Sequence, residues 1–167
     1  MTRRLLKKAS KIVKFIRKST LDSEILHTNV GFRIPAANAT RWNSQLFMLI
    51  KLDEALKKDP QIQEKLGACK NHGSFSALEI KLLREVIKLL KPFQEATDEM
   101  QKDSETIGSV VPAYLDLRNK MQDFSKAGGY ITHNKEVAAT LRKSLETRLS
   151  YVLEDTYYLL GNYYLSI

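Results

Sequence analysis

Few residues of this chain are equipped for chemistry, and their spacing limits what each can do. Cys69 and His72 enclose two residues, the gap of a zinc half-site. A structural zinc takes four ligands, and the other histidines, His27 and His133, have no ligand partner at sequence spacing, so no metal site is expected. The acids Asp98, Glu99, Asp103 and Glu105 are oxygen donors of the kind a divalent cation takes, but they surround a helix end and a turn, where solvated carboxylates are the ordinary case. The chain has no phosphate-cradling glycine loop, no serine elbow and no cysteine with a plausible base. No catalytic residue, metal or cofactor is therefore assigned, and no enzymatic activity is expected.

The strongest chemical bias is cationic. Residues 1–18 hold Arg3, Arg4, Lys7, Lys8, Lys11, Lys14, Arg17 and Lys18 and no acid. Of the 27 basic residues in the chain, that leaves 19 to balance its 19 acids, so the whole net charge of +8 lies in this segment. Clustered Lys and Arg gain from phosphates by counterion release, which points to a polyanion, whether nucleic acid or an acidic membrane surface. Placed on a helix, Leu5, Leu6, Ala9, Ile12, Val13 and Ile16 share one face while Arg4, Lys7, Lys11, Lys14 and Lys18 share the other. Two readings follow: contact with a polyanion, or a solvated face over an apolar stripe packed on the core. Phe15 falls among the cations, where it either stacks on a base or covers a flank.

The elements that must position these residues read as helices. A connection is expected over 29–40, where Gly31, Pro35 and Asn38 cluster. A helix should follow from Thr40 or Asn43 to about Lys58, then a short one from Asp59-Pro60 to Leu66 that Gly67 ends, with a loop from Cys69 to Phe75. Ser76 and Glu79 form a reciprocal cap for a helix bearing Leu82, Leu83, Val86, Leu89, Leu90 and Phe93, which Pro92 should kink or interrupt before it runs on to about Lys102. Two more helices follow, one through Val111, Tyr114, Leu117 and Met121, the other from about Asn134 through Leu141, Leu145 and Val152. Residues 157–167 are aromatic and strand-like. The expected fold is all-α, an irregular bundle of six or seven helices with a possible short strand in the tail.

At 167 residues, 43% hydrophobic and with a mean hydropathy of −0.32, the chain has the profile of one soluble globular domain. Cys69 alone cannot support a disulfide framework, and no apolar run is long enough for a membrane span, so a soluble intracellular protein is expected.

Residues 39–50, Ala-Thr-Arg-Trp-Asn-Ser-Gln-Leu-Phe-Met-Leu-Ile, resemble the Thr-Arg-Trp-Asn-Ser stretch of hAT-family transposases and of the zinc-finger-BED proteins descended from them. Two further stretches, Leu89-Leu90-Lys91-Pro92-Phe93-Gln94-Glu95-Ala96-Thr97 and Thr106-Ile107-Gly108-Ser109-Val110-Val111-Pro112, keep the order expected of that family. The resemblance covers 39–112, and more weakly about 10–161. It implies a ribonuclease-H-like core interrupted by a helical insertion, with 1–161 of this chain corresponding to the insertion and 162–167 to a divergent, truncated tail. The family's three metal-binding carboxylates would fall outside the chain, and its Cys-x-x-His motif precedes Arg-Trp, whereas Cys69 and His72 follow it. The resemblance also implies a nuclear protein in which Arg41 and Trp42 lie near transposon-end DNA. The plainer reading is that Trp42 packs in the core and Arg41 pairs with an acid.

The expected function is that of a non-catalytic, transposase-derived fragment. It would contact nucleic acid through Arg3, Arg4, Lys7, Lys8, Lys11, Lys14, Arg17 and Lys18, together with Arg41 and Trp42. The alternative is a helical protein-interaction module that binds no DNA, its N-terminal apolar stripe docked on a partner or on the missing part of the transposase fold. Neither a membrane nor a small-molecule substrate is expected as partner; a membrane-surface helix at 3–18 fits the amphipathic pattern but has no tryptophan or lipid anchor there.

Overall fold

The computed structural model describes residues 2–38, 42–102, 106–126 and 131–164, and only the backbone of Trp42 and of residues 162–164. The described residues are all-α, as expected, with nine α-helices, two short 3₁₀ turns and no strand. Where length suggests one domain, the contacts group the chain into two compact units, residues 1–87 and 88–167.

The first unit starts with α1 (Thr2–Lys18). Arg3 and Arg4 in its first turn oppose the helix dipole by about 0.3–1 kcal/mol each, whereas burying Leu5, Ile12, Val13 and Ile16 gains about 1.5–3 kcal/mol each. Burial wins, so packing rather than end-charge chemistry holds this helix. After Ser19, whose Oγ accepts from the Asp22 amide, comes α2 (Thr20–Val30), unforeseen because its apolar pattern is weak. Gly31 closes α2 with a left-handed φ of 79°, a conformation glycine adopts without strain, and the Lys58 ammonium donates to the Val30 carbonyl at 2.8 Å. The connection over residues 31–38 has no helix.

The helix α3 spans Trp42–Lys58. Thr40 lies outside the described residues, and Asn43 is not the cap, for it sits inside the first turn, where its buried Oδ1 accepts no hydrogen bond from the described residues. The short α4 (Ile62–Lys65) matches the expected segment, but Gly67 does not end a helix. It begins α5 (Gly67–His72), where a loop was expected. The reason lies 45 residues upstream: the buried Asp22 carboxylate accepts from the Gly67 amide at 3.0 Å and the Ala68 amide at 2.7 Å, satisfying the free donors of α5. A Cβ on Gly67 would stand 3.1 Å from Asp22 Oδ1, so glycine suits this close approach.

The reciprocal cap forms as expected at the start of α6 (Ala77–Met100): Glu79 N–H donates to Ser76 Oγ, and Ser76 N–H donates to Glu79 Oε2 at 2.9 Å. Pro92 does not interrupt this helix. One missing amide bond costs less than the helix gains from burying Leu82, Leu83, Val86 and Leu89 along its length.

The boundary between the units falls within α6. In the second unit, α7 (Val110–Ser125) and α8 (Lys135–Leu149) pack together, burying Val111, Tyr114, Leu117, Leu145 and Val152 in one cluster and Leu89, Met121, Ile131 and Ala138 in another. Of the strand-like tail, residues 157–164 are instead helical, in α9 (Thr156–Tyr164), and 165–167 lie outside the described residues. Asp155 Oδ1 accepts from the Tyr157 amide at 2.9 Å, a cap that the tyrosines' strand preference obscures. Tertiary contact then favours the helix, with Tyr158 against the core and Gly161 so close to the 3₁₀ turn Ile107–Ser109 that a Cβ would meet Ile107 Cγ2 at 2.8 Å.

Candidate nucleic-acid interface

The apolar stripe of α1 is consumed by the first unit, packed on α2, α3 and α5. It is therefore not a free docking face for a partner helix or for lipid. Opposite it, Arg3, Arg4, Lys7, Lys11, Lys14, Arg17 and Lys18 are exposed. Arg17 also donates to the Ile34 carbonyl at 3.2 Å, tying the loop after α2 to the helix. Lys8 differs from the rest: its ammonium lies 2.7 Å from Glu79 Oε2, 2.8 Å from the Ser74 carbonyl and 5.1 Å from the centre of the Phe75 ring. Burial pushes the Glu79 carboxyl up, but the Lys8 ammonium and the Ser76 amide more than offset it and hold the group below the usual carboxylate range. Lys8 thus fastens α1 to the start of α6.

The cationic face borders two clefts. Arg4, Lys7, Lys8 and Lys11 line one of about 790 Å³, faced by Asn71 and His72 from α5 and by Ser76 and Glu79 from the α6 cap. Lys14, Arg17 and Lys18 line another of about 480 Å³ together with Val13, Ala36, Ala37 and Met48. Phe15 does not stand clear in solvent. Its ring meets His72 edge-on, with centroids 5.5 Å apart and an interplanar angle of 78°, so it covers a flank.

The remaining sequence candidates fare differently. Arg41 lies outside the described residues, and Trp42 begins α3 with its side chain outside them, so neither can be joined to the cationic face. Cys69 is 3% exposed; burial and the Asp22 charge push its thiol up to about 11, keeping it protonated and a poor nucleophile or metal ligand. His72 stands on the surface. Asp98 accepts from Gln94, Glu99 pairs with Lys102 at 2.6 Å, and Asp103 and Glu105 lie outside the described residues. Among the described residues no three Cys, His, Asp or Glu side chains gather as a metal site.

Sequence reasoning missed Asn71 and His72 as walls of the larger cleft. The placement depends on α5, and α5 depends on Asp22, a partner that no local pattern connects to it. Among the described residues no helix is long and apolar enough to cross a membrane. No family model matches the chain, no curated protein matches it, and no solved structure matches it.

Proposed function

We propose that the chain is a non-catalytic fragment of an hAT transposase-derived protein, nuclear by that descent, that contacts nucleic acid through α1. Descent is supported by the three ordered blocks at 39–50, 89–97 and 106–112. Nucleic-acid contact rests on one observation above all. The apolar face of α1 is spent inside the first unit, while seven cations on its other face are exposed and the helix has no acid to neutralise them. With about four to six of these near phosphates, log affinity for duplex DNA should fall with log salt at a slope of roughly −4 to −5. Sequence preference should be small, because phosphates carry no base information.

The test is a fluorescence-anisotropy titration of the full chain at several salt concentrations. Changing Lys7, Lys11, Lys14 and Lys18 to Gln should flatten the slope without unfolding α1, since Gln is nearly as good a helix former as Lys. Equal slopes in the two proteins would remove α1 as the contact. A protein partner is the second reading, favoured by the exposed Tyr151, Tyr157, Leu160 and Ile107 of the second unit. Absence of DNA binding by the parent at low salt would shift the account to it.

A further inference from the structure

We infer that the 790 Å³ cleft along the first half of α1 binds an unpaired nucleotide strand, with His72 as the platform on which a base stacks. The inference rests on the nucleic-acid reading above and makes it specific. The volume is that of a small-ligand site, in which a nucleotide would fit.

The two walls differ in the way a single strand requires. On one wall, Arg4, Lys7 and Lys11 stand three and four residues apart, so a rise of about 1.5 Å per residue sets successive cations roughly 4.5–6 Å apart along the helix axis. That row can follow a phosphate backbone. On the other wall His72 is exposed, and its edge-to-face contact with Phe15, centroids 5.5 Å apart, restrains the imidazole, so a base can stack on it with less side-chain ordering left to do. Beside it, Asn71 Nδ2 donates to the Gly67 carbonyl at 3.0 Å, which orients the amide and leaves its second N–H and its Oδ1 to meet a base edge. The cleft also holds one carboxylate, Glu79, but its charge is matched by Lys8 at 2.7 Å and by the Ser76 amide. The net field at the opening is set by Arg4, Lys7 and Lys11.

The experiment compares a 12-nucleotide oligo(dT), a 12-nucleotide oligo(rU) and a 12-base-pair duplex, each fluorescein-labelled, binding the full chain at one low salt concentration. The proteins are the parent, His72→Ala and His72→Phe, with thermal melting to show that each is folded. At least one single strand, whichever sugar it carries, should bind about fivefold or more tighter than the duplex. His72→Ala should weaken the single strand about 5- to 10-fold, at the lower end of base–aromatic stacking, and change duplex binding less than twofold. His72→Phe should retain the single-strand affinity, because a ring and not an imidazole is required. Duplex binding as tight as single-strand binding, equal single-strand affinities for His72→Ala and the parent, or equal losses in His72→Ala and His72→Phe would overturn the inference. If the duplex binds with a steep salt slope while His72 proves irrelevant, the cleft inference falls alone. If none of the three nucleic acids binds, the reading beneath it falls as well.

Discussion

Residues 1–87 carry 17 basic and 8 acidic side chains, a balance of +9, while residues 88–167 carry 10 basic and 11 acidic, a balance of −1. Both units are built from helices whose apolar faces are buried, so the imbalance is not a requirement of the architecture. The difference lies in how the cations are matched. The described ion pairs of the second unit all join residues three or four apart: Lys91–Glu95, Glu99–Lys102, Asp116–Lys120, Asp123–Lys126 and Arg142–Glu146. In the first unit several pairs join separate elements, as Lys8 does with Glu79 and Arg84 with Asp53, while most of α1 has no acid within reach of its own turns. Packing dictates only the buried face of a helix. What the solvent face carries is open to another use, and on α1 it is left cationic.

The comparison can be strained most severely through the buried face. Ile12→Ser with Ile16→Ser places two hydroxyls where the side chains are at most 2% exposed. The cost should reach about 4–10 kcal/mol, comparable with the whole stability of a domain, and urea unfolding followed by circular dichroism should start from a reduced helical signal, with the second unit alone left to unfold. A starting signal and a transition equal to the parent's would mean that the stripe of α1 does not hold the first unit together.

Next in size is Asp22→Ala, which leaves the Gly67 and Ala68 amides without their acceptor. A loss on the order of 3 kcal/mol is expected from two charge-assisted hydrogen bonds, one buried and one part-buried. The same denaturation curves measure it, and a loss below about 1 kcal/mol would show that α5 forms without its distant cap.

A smaller effect separates the ion pairs of the two units. The Glu79 carboxyl is held below its usual range, so its pairing with Lys8 contributes above the unfolded value of about 4.3 and fades as pH falls through the lower folded value. Glu79→Gln should therefore cost up to about 1 kcal/mol at pH 7 and nothing in strong acid, whereas Asp116→Ala in the second unit should stay within about 0.5 kcal/mol at either pH. Urea titrations at pH 7 and pH 3 check both, and a Glu79→Gln loss of equal size at the two pH values would contradict the pairing.

How much of this was legible in the sequence depends on how local the cause is. The α1 stripe repeats at helical spacing, and the Ser76–Glu79 cap is closed within four residues, so both could be read directly. The helix α5 could not, because its amides are satisfied by Asp22, 45 and 46 residues away. In α9 the cap at Asp155 was present in the sequence but was outweighed by the strand preference of the tyrosines, and only the packing of Tyr158 and Gly161 decides the contest. The cationic residues of the candidate interface were legible as a charge run. Their division between two clefts, and the diversion of Lys8 into an ion pair, required the positions of α5 and α6.

The central claim is that nucleic acid engages the cations of α1 and not those of the second unit. Lysine acetylation of the full chain with and without DNA at low salt, read by mass spectrometry, tests it residue by residue. The account predicts protection at Lys7, Lys11, Lys14 and Lys18 and unchanged labelling at Lys91, Lys126 and Lys143, all of them exposed in the free protein. Protection concentrated on the second set, with the α1 lysines labelled as in the free chain, would contradict it.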